Sequence, residues 1–391
     1  MPTALTRESI FSCVSDETLG FQFGKPDRPS DTSLACILPI LRETAQKRQY
    51  VTLPEAGDKV VISDSGSINK VMLKNTSEEN VFVRSGSIFG GKGTQSRALM
   101  RSAVLFAGQE VGLEVRCVHA SHHISKGSAF QYDGVTPLEV DNQFYQDGYR
   151  PSDQSTMWNL VKSTNTTMSY MIGDSGPEMK IPRHRERSLG NQPRRSFISD
   201  PTVRRWGPSL RAAGMRTEAK GHGRGNFNFD RGAFFTSHLA DETNAFTGDD
   251  DLRNNFDAFA KNFDSILSKA RLHDHQVGLA LITERGAQTI ELFDLDTSWE
   301  AMHKDAVKRM GTELLRGPDE TNVFEYKPDR AVAAVRAVLA LPFTQNVIYE
   351  HKPSNGEPYV AVTGLTAKDW VGELAEIDLR VIHMTLLRKA S

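Results

Sequence analysis

The stretch RCVHASHHISKG, Arg116 to Gly127, sets Cys117, His119, His122 and His123 close together, directly after a run that reads as a β-strand. Three chemistries are open to these residue types: a thiolate nucleophile, a metal centre, or imidazoles that exchange protons and hydrogen bonds with a ligand. A cysteine nucleophile needs its thiolate stabilised by an imidazolium, a basic side chain or a helix N-terminus. Arg116 and His119 are near in sequence, but strand alternation turns Arg116 away from the Cys117 side chain, and nearness in sequence alone does not pair His119 with it. Cys117 therefore reads as a small inward-packing hydrophobe. The three histidines would line one side of a helix, whereas on a continued strand only His119 and His123 share a face. A zinc site needs about three protein ligands, and here Asp133 or His383 would have to arrive from elsewhere in the chain, so no metal is expected. Imidazoles that hydrogen-bond a polar ligand, or that cap the sheet, are favoured. If there is chemistry, His119 or His122 is the general base, since an unperturbed imidazole titrates at about 6.5.

A second polar stretch, SGSIFGGKGTQSR (85–97), combines glycines with Lys92, Gln95 and Arg97. Glycine lets backbone N–H groups approach an anion closely, and the two cations suit phosphate. The stretch lacks the spacing of a phosphate-binding P-loop, and no amphipathic helix follows it. Because it and the histidine stretch both follow β-runs, they are expected to meet at one end of a sheet, where converging polar groups build small-molecule sites.

These stretches must be held by the elements around them. Residues 33–50, SLACILPILRETAQKRQY, carry apolar positions at helical spacing and read as an amphipathic helix. Short β-rich runs follow, KVVISDSG, NKVMLKNTS, NVFVRSGSIFGG, RALMRSAVLFAG and VGLEVRCVHA, separated by Gly, Asn, Asp and Ser. Their close spacing favours an antiparallel sandwich or barrel over a parallel sheet with crossover helices. Further on, DLRNNFDAFAKNFDSILSKARL places Leu252, Phe256, Phe259 and Phe263 on one helical stripe. QVGLALITERGAQTIELFD and NVIYEHKPSNGEPYVAVTG read as hairpins, SWEAMHKDAVKRMGTELL and PDRAVAAVRAVLAL as helices, and LRVIHMTLL as a last strand. The acids of GDDD (248–251) and the histidines of HDH (273–275) suit a helix start and a helix end.

The 391 residues, with formal net charge −2, three cysteines and mean hydropathy −0.43, belong to an ordinary globular composition. Such a charge gives no overall pull toward nucleic acid or anionic membrane. The cysteines are few and scattered, which argues against a disulfide framework. No run approaches the ~18 apolar residues of a membrane span, and the first residues lack a signal-peptide pattern, so a cytoplasmic protein with no membrane partner is expected. One local exception stands out: 180–232 holds thirteen Lys or Arg against four Asp or Glu, with Phe197 and Trp206 interleaved. That is the make-up of a segment that contacts phosphates and stacks on bases, or of one that covers an acidic partner.

The order of YVTLPEA, VMLKNTSEENVFVRSGSIFGGKGTQSR, VGLEVRCVHAS, QVGLALITERGAQTIELFD with its SW helix, and VIHMTLL resembles the ARG and rhodanese-phosphatase-superfamily-associated protein domain, ARG standing for ADP-ribosylglycohydrolase. The resemblance covers roughly 45–135 and 270–391. The family's Gly, Gln and Arg correspond to Gly93 or Gly91, Gln95 and Arg97, and its closing histidine to His383. Its Cys-Val-Glu-x-Gly-Arg-Trp motif is met by Cys117 and Val118 only. His119, Ser121, His122 and His123 stand in the following positions, so the role of the family's glutamate does not carry over.

The fold expected is α+β: a β-rich sandwich or barrel-like body with flanking helices and a large irregular central insertion. Its parts are an N-terminal segment (1–32), a β-rich first half (33–135), a polar, locally basic insertion (136–250) and an α+β second half (251–391). The resemblance implies binding, with or without processing, of a nucleotide-derived small molecule related to ADP-ribose or NAD. Lys92 and Arg97 would hold phosphates, while Gln95, His119 and His383 would orient a ribose or a water. The alternative is a non-enzymatic interaction protein, or an oligomeric structural protein, whose insertion binds nucleic acid or an acidic partner. Whether the chain is an enzyme stays open at this stage, no cofactor is indicated, and a homo-oligomer is compatible with every feature.

Overall fold

The computed structural model describes residues 4–12, 20–28, 35–44, 46–91, 94–119, 124–146, 154–175, 251–315, 327–353 and 357–389. The basic stretch 180–232 and Lys92, His122 and His123 lie outside them. Among the described residues no helix is long and apolar enough to cross a membrane.

The strands run β1 (Gln22–Phe23), β2 (Ala35–Leu41), β3 (Val51–Thr52), β4 (Val60–Ser67), β5 (Lys70–Asn75), β6 (Val81–Val83), β7 (Ser87–Gly91), β8 (Arg97–Leu99), β9 (Ala103–Leu105), β10 (Glu110–Cys117) and β11 (Ala129–Val135). In the second half follow β12 (Gln276–Thr283), β13 (Gly286–Phe293), β14 (Thr344–His351), β15 (Val360–Ala367), β16 (Trp370–Ile377) and β17 (Arg380–Arg388). Six strands close into a barrel in the order β10-β5-β4-β11-β7-β8, and every pair in it is antiparallel. Ile62, Val71, Leu73, Phe89, Leu99, Val115 and Phe130 fill its apolar core. Closure leaves no open edge, which is how short strands such as β8 keep all their backbone groups paired.

The second body is an eight-stranded sheet, β1-β2-β12-β13-β17-β16-β15-β14. The β12–β13 and β14–β15 hairpins and the closing strand β17 fall where the sequence puts them, and β16, which the sequence reading passes over, pairs between β15 and β17. Both faces of this sheet are covered except at the edge strand β14, which is largely exposed. The helices Leu252–Asn262 and Asp296–Arg309 pack on one face together with residues of the barrel lobe, and Arg7–Ser12 and Pro328–Leu339 pack on the other. Two helices of the central region, Leu138–Gln146 and Gln154–Ser175, place Val140, Phe144, Met157, Val161 and Met168 in the first of these cores.

The sheet corrects the expectation of a helix over 33–50. Ala35–Leu41 is strand β2, held between β1 and β12, and its side chains alternate between the two cores. Ala35 and Ile37 enter one core, while Cys36, Leu38 and Ile40 enter the other. An apolar run buried on both faces has no polar gaps to reveal its period of two. Pro39 is the local signal against a helix, because a proline there removes an intrahelical hydrogen bond and clashes with the preceding turn.

Candidate functional site

At one end of the barrel β4 and β7 finish, β8 begins and β10 finishes. Registry does the positioning: Arg97 stands opposite Phe89 of β7 on one side and Cys117 of β10 on the other. Val118 N–H donates to the Ser96 carbonyl at 3.0 Å, and Leu252 N–H donates to the Val118 carbonyl at 3.1 Å. His119 pairs with Asp251 as an isolated antiparallel bridge, so the first turn of the helix Leu252–Asn262 is laid across the barrel end.

Arg97 is wholly shielded from solvent. Its Nη1 donates to the Gln95 carbonyl at 2.6 Å and lies 3.8 Å from Cys117 Sγ. Asp64 Oδ2 is 3.9 Å from Nη2, beyond hydrogen-bond reach, and is already engaged by the Thr94 hydroxyl at 2.6 Å. The Nε and Nη2 atoms of Arg97, and the amide oxygen of Gln95, have no hydrogen-bond partner among the described residues. Burial pulls the Arg97 pKa down from its ordinary value, against the opposing pull of Cys117 and Asp64. Buried donors in such numbers are the exception in folded proteins, and each calls for an explanation such as a bound ion or water.

Cys117 packs inward, as its place in the strand suggests, and its Sγ donates to the His119 carbonyl at 3.0 Å. Burial pushes its pKa up, against a backbone hydrogen bond of His119 and the Arg97 charge, so it stays a neutral thiol rather than a nucleophile. His119 is buried, with Nδ1 3.4 Å from Asp251 Oδ2. Asp251 is held in turn by the Ser96 hydroxyl at 2.8 Å and by Arg253 N–H at 3.0 Å, which makes it the N-cap of the helix. Burial raises the Asp251 pKa, and His119, Ser96 and Arg253 oppose that rise. The barrel end thus carries a buried guanidinium and a buried carboxamide, with the His119 imidazole beside the Asp251 carboxylate.

Of the residues singled out from the sequence, Gln95, Arg97 and His119 meet here. Lys92 and His122 lie outside the described residues. His383 does not join them. It lies on β17 with Nε2 3.2 Å from Glu291, its ring against Phe82 and Phe293, and among the described residues no hydrogen bond or ion pair links it to Gln95 or Arg97. The reason is topological: β17 belongs to the eight-stranded sheet, and its neighbours there are β13 and β16. Sequence reasoning misses Asp251, Ser96 and Asp64. The helix-start character of Asp251 is legible, but its pairing with a strand end far earlier in the chain has no local signature.

Gly90 on β7 shows how tightly the helix start is seated. A Cβ there would fall 1.8 Å from Asp133 Oδ2 and 2.3 Å from Arg253 Nη1, two atoms that form an ion pair 3.0 Å apart. Gly90→Ala should break that pair and loosen the helix start, with a stability loss of about 1–3 kcal/mol from overpacking. Denaturant unfolding checks it, and an unchanged midpoint would show that Arg253 simply swings away.

No curated protein matches this chain. No solved structure matches it either. A family model matches residues 25–197, which takes in the first of the two segments of the sequence resemblance, continues through the helix Gln154–Ser175, and stops before Asp251 and the second segment. That model is the ARG and Rhodanese-Phosphatase-superfamily-associated Protein domain, and the residues similar to it, 25–197, build the barrel and carry Gln95, Arg97, Cys117 and His119.

Proposed function

We propose that the barrel end binds an anionic, nucleotide-derived small molecule of the ADP-ribose or NAD kind. The observation that carries this reading is Arg97: a shielded guanidinium with two nitrogens that lack hydrogen-bond partners among the described residues, beside a Gln95 oxygen in the same state. A phosphate oxygen is the acceptor that a guanidinium fork matches best. Lys92 is a second cation three residues before Gln95 in the sequence, and Gln95 with His119 would offer hydrogen bonds to ribose hydroxyls. The family's printed association with the ARG superfamily supports the choice of an ADP-ribose-like ligand over other phosphates. If the ligand is processed, His119 is the general base. The reading of an interaction protein acting through the basic segment 180–232 has no described residue to rest on.

Calorimetry with ADP-ribose, NAD, a cyclic nucleotide and inorganic phosphate tests the proposal. ADP-ribose or NAD should bind, and Arg97→Met should weaken that binding by roughly tenfold to a hundredfold, the worth of hydrogen bonds to a charged group. Arg97→Lys, which keeps the charge but not the fork, should fall between. Thermal unfolding of each variant guards against simple loss of fold. No heat from any of the four ligands at high protein concentration would sink the reading.

A further inference from the structure

An acidic side chain sits where a site for bare anions would have none. Strand β4 alternates, so Val60 and Ile62 turn into the barrel core and Asp64 takes the next inward position, 3 % exposed. Its main chain is fixed by bonds to Ser128 and Gly127, Oδ1 accepts Gly66 N–H at 2.7 Å, and Oδ2 accepts the Thr94 hydroxyl at 2.6 Å. The Ser125 N–H is shared between Oδ2 at 3.3 Å and the Thr94 hydroxyl oxygen at 3.2 Å, so the lone pairs of Oδ2 can take another donor. Arg97 Nη2 stands 3.9 Å from Oδ2, which is too long for a direct hydrogen bond and short enough for one oxygen atom to bond both groups.

Nε and Nη2 of Arg97 carry three N–H donors between them, and among the described residues none has a hydrogen-bond partner. A phosphate held side-on takes two. An oxygen that uses the third, from a place between Nη2 and Asp64, meets a donor on one side and a carboxylate on the other. A phosphate oxygen there would be repelled by Asp64, whereas a hydroxyl accepts from Nη2 and donates to Oδ2. We propose that Asp64 is the specificity-determining residue of the barrel end: with Arg97 Nη2 it holds a sugar hydroxyl of the ligand, while the Nε side of the guanidinium holds the neighbouring phosphate. The ligand class is then a sugar phosphate, and a phosphate chain without the sugar is turned away from the Asp64 position. Gln95 fits the same chemistry, since its amide oxygen is a second buried acceptor without a partner among the described residues, and a donor such as a hydroxyl satisfies it. The proposal rests on reading the barrel end as a ligand site, and it adds the group that tells one phosphate ligand from another.

Asp64→Asn separates the two halves of the ligand, because asparagine keeps the shape of the side chain and removes its charge. Calorimetry on the full chain compares ADP-ribose with sulfate, an anion of phosphate's shape that carries no hydroxyl at neutral pH, and the two should move in opposite directions. ADP-ribose should bind the variant roughly threefold to tenfold more weakly, the loss of a charged hydrogen-bond acceptor. Sulfate should bind it more tightly, since a repelling carboxylate is gone. Tighter or unchanged binding of ADP-ribose would mean that Asp64 meets only the anion, and overturns the proposal. If thermal unfolding shows that the variant does not fold, the wild type answers instead: adenosine monophosphate should bind roughly tenfold more tightly than dideoxyadenosine monophosphate, which lacks both ribose hydroxyls, and equal affinities overturn the proposal. A wild type that binds these anions with no dependence on the hydroxyls removes the role of Asp64 and leaves the phosphate reading of Arg97 standing. One that binds none of the probes removes both.

Discussion

Glu291→Gln should cost the folded protein about 3–5 kcal/mol in denaturant unfolding, the usual penalty for stripping one charge from a buried ion network. Arg84, Asp141, Glu291 and Arg309 are each almost fully shielded, with side-chain exposure of 1 % or less. The barrel half contributes Arg84, the helix Leu138–Gln146 of the central region contributes Asp141, and the sheet half contributes Glu291 and Arg309. The bonds cross between them. Arg84 bridges to Glu291 as well as to Asp141, while Arg309 donates to Asp141 at 2.7 Å and to Glu291 at 2.8 Å. Two positive and two negative groups thus close a neutral ring at the seam of the two bodies; Thr136 donates to the Asp141 oxygen that the arginines leave, and His383 Nε2 lies 3.2 Å from the Glu291 oxygen that Arg84 also engages.

The charge states follow from this geometry. Burial alone would raise the Glu291 carboxyl, but the guanidiniums of Arg84 and Arg309 outweigh it and hold the pKa well below the usual carboxylate range. Burial would likewise lower Arg84, but Glu291 and Asp141 outweigh it and push it well above the usual guanidinium value. Burial lowers the His383 pKa, and Arg84 and Arg309 add to that, so the ring stays neutral against Glu291. A depressed carboxylate stabilises the fold above its unfolded pKa and loses that contribution as pH falls. Removing the Glu291 charge leaves two guanidiniums facing one carboxylate out of reach of water. Glu291→Gln/Arg309→Met restores the balance and should recover part of the loss, which a double-mutant cycle reads as a coupling of about 0.5–3 kcal/mol. A single-variant loss under about 1 kcal/mol, the range of exposed pairs, would mean that water reaches the ring.

What the sequence makes legible divides along physical lines. Local rules place the hairpins and the helix Pro328–Leu339, because a glycine-containing turn or a proline at the first helical position acts within a few residues. The barrel strands are legible as short runs between turn residues. Strand β2 is not, because its faces are buried alike and its apolar spacing also fits a helix. The charged ring has no signature at all: Arg84 and Glu291 sit in apolar runs where a charge looks like an interruption, and only the tertiary fold brings them together. His383 shows the same limit from the other side. The resemblance implies a ligand contact for it, and the fold gives it Glu291. The barrel-end residues fare better because Gln95 and Arg97 lie within one turn and strand start, and the antiparallel register of β8 and β10 carries Cys117 and His119 to them.

Stability should fall by about 3 kcal/mol as pH rises from 4 to 7 because of one carboxyl group, Asp294, with each unit of pKa shift worth about 1.4 kcal/mol. Asp294 follows β13, is buried, accepts the Tyr50 hydroxyl at 2.7 Å, and has the Arg380 guanidinium 3.8 Å away. Burial raises its pKa from 3.8 to about 6, and the Tyr50 hydrogen bond, Arg380 and Arg42 only partly oppose that rise. In that window the unfolded chain releases the proton while the folded chain keeps it, so the unfolded state gains, and the loss is complete once pH passes the folded pKa. The slope is opposite in sign to that of Glu291 and His383, so the whole protein's profile mixes them. Asp294→Asn isolates it: asparagine still accepts the Tyr50 hydroxyl but cannot ionise. The stability of the variant relative to the wild type should therefore climb by about 3 kcal/mol between pH 4 and pH 7, a linkage read from paired urea titrations. Parallel profiles for the two proteins would place the Asp294 carboxylate in contact with water and contradict its burial under β17 and Tyr50.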